Sequence, residues 1–166
     1  MTYEPWQPGM RITAGRLASI SATWQEWTPT WTTTTGDNTP DYGNATIACD
    51  YCQTGNLVVC SFDIAFGSTT DFGDGGGTDN FAFGLPVSCA ASSGDTLGFI
   101  TMRQSDSAQL IGRVQYNGSD SIRISVDSGR VDSTAVSNAG LIDAVSPWTW
   151  ASGNALHGLF QYRAAS

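Results

Sequence analysis

The chain has 166 residues, of which 40% are hydrophobic, only 13% are charged and 19 are glycine. This composition is too apolar for a disordered chain and too sparsely charged for a coiled coil, so it favours a β-rich domain. The formal charge of −8, with seven arginines and no lysine, argues against nucleic acid as a partner, because phosphates attract a basic surface.

Residues 1–27 predict an N-terminal attachment arm with one short helix. Thr13 is placed to cap the first free amides, and Ile12 and Leu17 hold the positions of a hydrophobic staple. The apolar stripe of a helix this short cannot form a core alone, so it must dock on the body or on another chain. The residues assigned to attachment are Trp6, Ile12, Leu17, Ile20 and Trp24.

From about residue 28 onward the pattern is that of strands and turns. Residues 56–66 alternate as a half-buried strand does, with one apolar face formed by Val58, Cys60, Phe62, Ile64 and Phe66. Further strands are predicted at 45–52, 80–85, 96–104, 109–117, 120–126 and 154–163, with a hairpin at Asn117-Gly118. The expected fold is all-β, an antiparallel β-sandwich or jelly-roll head over residues 28–166.

The N-terminus and the apolar runs bear on membrane targeting. No apolar run approaches the roughly 18 residues of a membrane span, and the first residues lack the basic and apolar regions of a signal peptide. We therefore expect a soluble chain without a membrane partner.

Four cysteines raise the question of zinc, because Cys49 and Cys52 have C-x2-C spacing. The second half of such a site is missing, so we expect no metal and no cofactor. If Thr54-Gly55 is a two-residue hairpin loop, Cys49 faces Cys60 directly across the hairpin. The four thiols are then expected to be buried small apolar groups, with a Cys49–Cys60 disulfide as the alternative in an oxidising compartment.

Residues 71–80 combine three carboxylates with glycines, which raises the question of calcium. Their spacing fits no EF-hand, so a mobile surface loop is expected. The one histidine, His157, has no recognisable nucleophile motif beside it, since G-x-S-x-G is absent. The chain is therefore predicted not to be an enzyme, the alternative being a glycan hydrolase with two aspartates facing each other across a cleft.

Large rings crowd the region near the C-terminus. Four of them fall within fifteen residues: Trp148, Trp150, Phe160 and Tyr162. One sheet face does not readily cover so many rings, and exposed apolar patches mark association, so these residues are predicted to form an oligomer interface. A carbohydrate platform is the alternative role for the tryptophans and tyrosines.

Several blocks, in order along most of the chain, carry a family resemblance. They are WQPGMRITAGRL (6–17), WTPTW (27–31), GNAT (43–46), GSTTDFG (67–73), FGLP (83–86) and SPWTWASG (146–153). Together they resemble small virion structural proteins, of minor tail, fibre or head-surface type, from tailed phages that infect actinobacteria. Relatives often have a polar or basic hairpin after the GNAT block, where this chain has Cys49, Cys52 and Cys60.

The resemblance implies a β-sandwich or jelly-roll head, commonly a homotrimer, fastened to the particle by its N-terminal segment. It implies other virion proteins as partners and a location in the virion after assembly in the host bacterial cytoplasm. We therefore predict a non-enzymatic structural protein, either a minor tail or fibre protein or a capsid decoration. The alternative is a lectin-like receptor-binding module whose ligand is a host-surface glycan.

Overall fold

The computed structural model describes residues 9–11, 13–15, 17, 21–37, 39–73, 79–126, 130–131, 134–135 and 140–165. Its strands are β1 Gln25–Glu26, β2 Trp31–Thr33, β3 Thr46–Ile47, β4 Asp50–Thr54, β5 Leu57–Ala65, β6 Phe81–Gly84, β7 Thr96–Gln104, β8 Ala108–Gly118, β9 Ser121–Ser125, β10 Arg130–Val131, β11 Thr134–Ala135 and β12 Ala155–Arg163. The predicted all-β class is confirmed.

Ten of these strands form one antiparallel sheet. The strand order is β1-β4-β5-β12-β7-β8-β9-β6-β2, with β3 also paired to β5, while β10 and β11 form a separate two-stranded pair. The longest strands, β5, β12, β7 and β8, lie next to one another in the middle. Strand β12 pairs with β5 on one side and with β7 on the other.

The sheet is curled into a half-barrel, and the described part of the chain forms a hydrophobic core with many aromatic rings inside it. Four strands separate β5 from β6 in the sheet order, yet the rings of Phe62 and Phe83 are 5.3 Å apart between centroids. The predicted alternation of residues 56–66 is confirmed, because the five apolar side chains of that face are all buried. The curl therefore brings the inner faces of distant strands together and excludes water between them.

The predicted register of the β4–β5 hairpin was wrong. Thr54 pairs with Leu57, and Tyr51, not Cys49, lies opposite Cys60. The loop is Gly55-Asn56, because Gly55 has a φ of +59° and type II′ loops place glycine at their first position. Cys49 instead lies beside Asp63, whose backbone N–H donates to the Cys49 Sγ at 3.4 Å.

The predicted hairpin between β8 and β9 exists, but its loop is Ser119-Asp120, two residues later than Asn117-Gly118. Both loop residues have positive φ, 49° and 52°, as a type I′ turn requires. The Asp120 carboxylate accepts hydrogen bonds from the Cys89 N–H at 3.0 Å and the Ser88 hydroxyl at 2.8 Å. These contacts fasten the turn to the segment before β7 and lower the pKa of Asp120.

Replacing Asp120 with alanine should destabilise the fold by about 1–2 kcal/mol at pH 7, because two donors lose a charged acceptor. The lowered pKa means that the ionised carboxylate stabilises the native state above the pKa of the unfolded chain, 3.8. That contribution disappears as the pH falls from this value through the pKa of the folded state. Urea unfolding at pH 7 and pH 3 should therefore give a smaller loss at pH 3, where part of the charge contribution is gone and the cost of alanine at a φ of 52° remains.

Asp120→Asn is the matched control, since asparagine also tolerates positive φ and keeps one acceptor oxygen. Its stability should lie between those of wild type and Asp120→Ala at pH 7. An equal loss at both pH values in the alanine variant would show that the charge of Asp120 contributes nothing.

Candidate functional site

Two loops at one end of the sheet are held together by hydrogen bonds from Asn44. Its Oδ1 accepts from the Thr69 N–H at 2.8 Å and from the Thr69 hydroxyl at 3.0 Å. Its own backbone N–H donates to the Thr69 Oγ1 at 2.9 Å, and Thr70 donates from its hydroxyl to the Tyr42 carbonyl at 2.8 Å. The loop that follows β5 is thereby fixed against the loop that precedes β3.

Trp31 lies at the centre of an aromatic cluster behind these loops. Its ring is 5.1–5.8 Å, between centroids, from five other rings: Tyr42, Phe66, Phe72, Phe81 and Phe83. Trp150 adds to it through Phe66, at 5.6 Å. We call these seven residues the Trp31 cluster. The blocks WTPTW, GSTTDFG, FGLP and SPWTWASG thus meet at one place in the core, which explains their aromatic content by packing.

A cleft of about 550 Å³ opens beside the Trp31 cluster. Its lining residues come from the 68–73 loop and from residues 144–150, and they include Asp71, Phe72 and Trp150. Only 4% of Trp150 is exposed, so most of this indole is covered by the core and not open to the cleft. The Asp71 carboxylate accepts a hydrogen bond from the Gly73 N–H at 2.9 Å. The cleft therefore combines one carboxylate and several hydroxyls with the partly exposed ring of Phe72 and the buried ring of Trp150.

Asp143 is a fully buried carboxyl close in sequence to the cleft lining. Its Oδ1 accepts from the Val145 N–H at 2.8 Å, and its Oδ2 has no hydrogen-bond partner in the described part of the chain. Burial raises the pKa of Asp143. Because the side chain has no exposed surface, it cannot touch a substrate in this conformation.

All four cysteines are buried and free, which confirms the predicted burial of the thiols. Burial raises the pKa of Cys49 to about 11 and that of Cys60 to about 12, so both thiols are protonated at neutral pH. Zinc binds the thiolate form. Over the described ranges, no three His, Cys, Asp or Glu side chains group closely enough to hold a metal ion.

The outer face of the central strands carries an apolar patch that the sequence analysis missed. Phe99 on β7, Ile111 on β8 and Leu159 on β12 are 59%, 71% and 60% exposed. We call these three residues the outer-face patch. Beside it, the His157 Nδ1 lies 2.8 Å from the Asp63 Oδ1, and both side chains are partly exposed. His157 is thus on the sheet surface, paired with a carboxylate.

The oligomer interface was predicted on the premise that its large rings are exposed, and this premise was wrong. The four residues assigned to it are all buried within the single chain: Trp148, Trp150, Phe160 and Tyr162. The curled sheet covers more rings than a flat one does, and the Trp150 N–H donates internally to the Ser146 carbonyl at 3.1 Å. These residues therefore contribute to the core.

Two of the predicted attachment residues are described, and both are exposed. Leu17 is 51% and Trp24 is 52% exposed, whereas Trp6, Ile12 and Ile20 lie outside the described residues. One backbone hydrogen bond of the predicted helix is described: the Leu17 N–H donates to the Thr13 carbonyl at 3.0 Å. Residues 25 and 26 pair with β4, so the sheet includes positions that the prediction assigns to the arm.

The predicted loop at 71–80 is described only at its ends, because residues 74–78 lie outside the described ranges. At its far end the Asp79 Oδ1 accepts from the Thr35 N–H at 2.9 Å, which ties the loop to the segment after β2. This bond and those from Thr33 and Thr34 lower the pKa of Asp79 against the opposing effect of burial.

Comparison of the chain with protein-family models, with curated proteins and with solved structures gave no match. In the part of the chain that the structure describes, no helix has the length and apolar character needed to cross a membrane.

Proposed function

We propose that this chain is a non-enzymatic structural protein of a tailed-phage virion. In this proposal a β body is displayed on the particle surface, as a minor tail or fibre protein or as a capsid decoration, and the N-terminal segment fastens it there. The partners are other virion proteins, and the protein is built into the virion when the particle is assembled in the host bacterial cytoplasm. The resemblance of the sequence blocks supplies the biological setting of this proposal.

The observation that carries the proposal is the contrast between a core that begins at Trp27 and an exposed apolar segment before it. Trp27 packs on Phe62 at 6.0 Å between ring centroids, and the described members of the core all follow it in sequence. Leu17 and Trp24 leave about half of their surface to solvent. Large apolar side chains outside the described core are suited to bind a groove on a partner protein.

We also propose that the body is a two-layered sandwich or jelly roll. The curl places β2 and β6 across the core from β5, since Trp31 on β2 stacks at 5.4 Å on Phe66, the residue after β5, and Phe83 on β6 lies 5.3 Å from Phe62 on β5. These strands lie toward opposite ends of the sheet order. The facing segments then correspond to the two layers of a sandwich. A homotrimer is implied by the resemblance alone.

Deleting residues 1–23 should leave a folded body that no longer joins particles. The body should keep its β-sheet circular dichroism, because the described core contains no residue from the deleted segment. Incorporation is measured by complementing a phage that lacks the protein and probing purified particles. Loss of the β-sheet signal, or normal incorporation of the truncated body, would contradict the attachment role.

A double variant that keeps the chain length tests the same role without deletion. Leu17→Asp with Trp24→Asp should abolish incorporation, because the apolar surface of the arm becomes charged. The matched control is Leu57→Asp, a residue 45% exposed at the start of β5, which should join particles normally.

A lectin-like module that binds a host-surface glycan is the second candidate, and the cleft beside the Trp31 cluster is the observation in its favour. Asp71, Thr149 and the hydroxyls of the 68–70 segment supply polar groups of the kind that bind sugars. Glycan-array binding that Asp71→Ala abolishes would favour this candidate over a purely structural role.

A further inference from the structure

The outer-face patch is one continuous apolar surface across the middle of the sheet. Leu159 and Phe99 are direct partners across β12 and β7. Ile111 pairs with Thr101, two residues along β7 from Phe99. All three side chains are more than half exposed. A contiguous apolar surface on the long central strands is a feature of association sites.

Charges flank the patch with opposite signs on its two sides. On the β5 side, Asp63 pairs with His157, and Asp50 on β4 pairs with Ser61. On the β8 side, Arg113 pairs with Phe99. From β4 to β8, the outer face of the sheet therefore carries first carboxylates, then apolar side chains and last a guanidinium.

We propose that this face binds a second copy of the chain about a two-fold axis that runs parallel to the strands between β12 and β7. Such an axis places β12 of each copy on β7 of the other, so Leu159 packs on Phe99 twice. It also places Arg113 of each copy between Asp50 and Asp63 of the other. The same register places Ile111 of each copy over Asp63 of the other, so the self-complementary elements are the two Leu159–Phe99 contacts and the opposite charges of Arg113 and Asp50, as an isologous contact requires.

The size of the patch sets the expected strength of the dimer. Four strands about 4.8 Å apart and three outward rows about 6.6 Å apart give a contact of at most about 400 Å² on each copy, because the outer face of the curled sheet is convex. A standard stable interface buries about 800 Å² per partner, so we expect a weak dimer. The inference goes beyond the proposed function and does not involve the arm, so failure of particle attachment and failure of dimerisation are separate results. The proposed dimer also differs from the homotrimer that the resemblance implies, and the measured mass distinguishes the two.

Sedimentation velocity of the full chain from about 10 μM to about 1 mM tests the proposal, since weak contacts form in this range. The wild type should pass from monomer to dimer as concentration rises. Leu159→Glu should weaken the dimer at least tenfold, because two like charges are then buried near the axis. The control Val145→Glu, at a residue 53% exposed on another surface, should dimerise as wild type does.

A charge exchange tests the orientation of the two copies. Asp63→Arg and Arg113→Asp should each weaken the dimer about tenfold, because each alone places like charges together. An equal mixture of the two variants should restore dimers in part, since positions 63 and 113 then carry opposite signs across the axis while Asp50 keeps its charge. Circular dichroism establishes that each variant is folded.

Three results would overturn the proposal. They are a wild type that stays monomeric up to about 1 mM, a Leu159→Glu variant that dimerises normally, and a mixture of charge variants that shows no recovery. A trimer mass would equally contradict the two-fold arrangement.

Discussion

Replacing Trp31 with alanine should lower the free energy of unfolding by about 3–5 kcal/mol, the usual cost of truncating a large aromatic side chain in a packed core. The Trp31 ring is 5% exposed and lies at the centre of its cluster. Its removal leaves a void that the surrounding rings cannot fill, because they are held by four different strands and loops. Equilibrium unfolding in urea, followed by circular dichroism, measures the loss.

Trp24→Ala is the matched control for this substitution. It removes the same indole from a position that is 52% exposed, so we expect a change within about 0.5 kcal/mol. Similar losses for both tryptophans would show that the N-terminal segment belongs to the core, which would also contradict its role as an attachment arm.

A valine at position 158 should destabilise the sheet by about 3 kcal/mol, at the upper end of the usual range for overpacking. Gly158 on β12 is paired with Ile100 on β7 and points to the inner face. A Cβ at Gly158 would lie 2.6 Å from the Ile100 Cγ2 and 2.7 Å from its Cα. Since a backbone atom is among these neighbours, no rotamer change relieves the clash, and the two strands must separate.

The neighbouring variant Leu159→Val places the same side chain one residue further on, where it faces solvent. Its effect on thermal or urea unfolding should stay within about 0.5 kcal/mol. If Gly158→Val were equally mild, the close approach of β12 and β7 would not be needed for the curl of the sheet.

The long strands could be predicted from the sequence because their alternation is strong. Strand β7 has the predicted bounds, 96–104. Strand β12 begins one residue later than predicted, and β5 and β8 differ from their predicted bounds by one residue at each end. The hairpin registers could not be predicted in the same way. The same two strands can be joined by a two-residue loop at several positions along the chain, and each position gives a different register. The positive φ of Gly55 fixes the position in the β4–β5 hairpin, and the contacts of Asp120 fix it in the β8–β9 hairpin.

The candidate interface was harder to predict than the strands, because a crowd of large rings has the same pattern whether it faces a core or a partner. The curl of the sheet turns Trp148 and Trp150 toward the core, and the curl depends on pairings between distant segments. Phe99 was missed because it adjoins Ile100, and two consecutive apolar residues do not indicate which one faces outward.

The position of β12 has a consequence for how the chain folds during synthesis. This strand supplies the pairing partner of both β5 and β7, so β4-β5 and β7-β8 are separate hairpins until residues 155–163 have left the ribosome. A nascent chain shorter than this exposes two long strand edges and the apolar faces that later meet inside the body. The sheet therefore closes late, in a step that joins segments made far apart in time, as is typical of slowly folding β proteins.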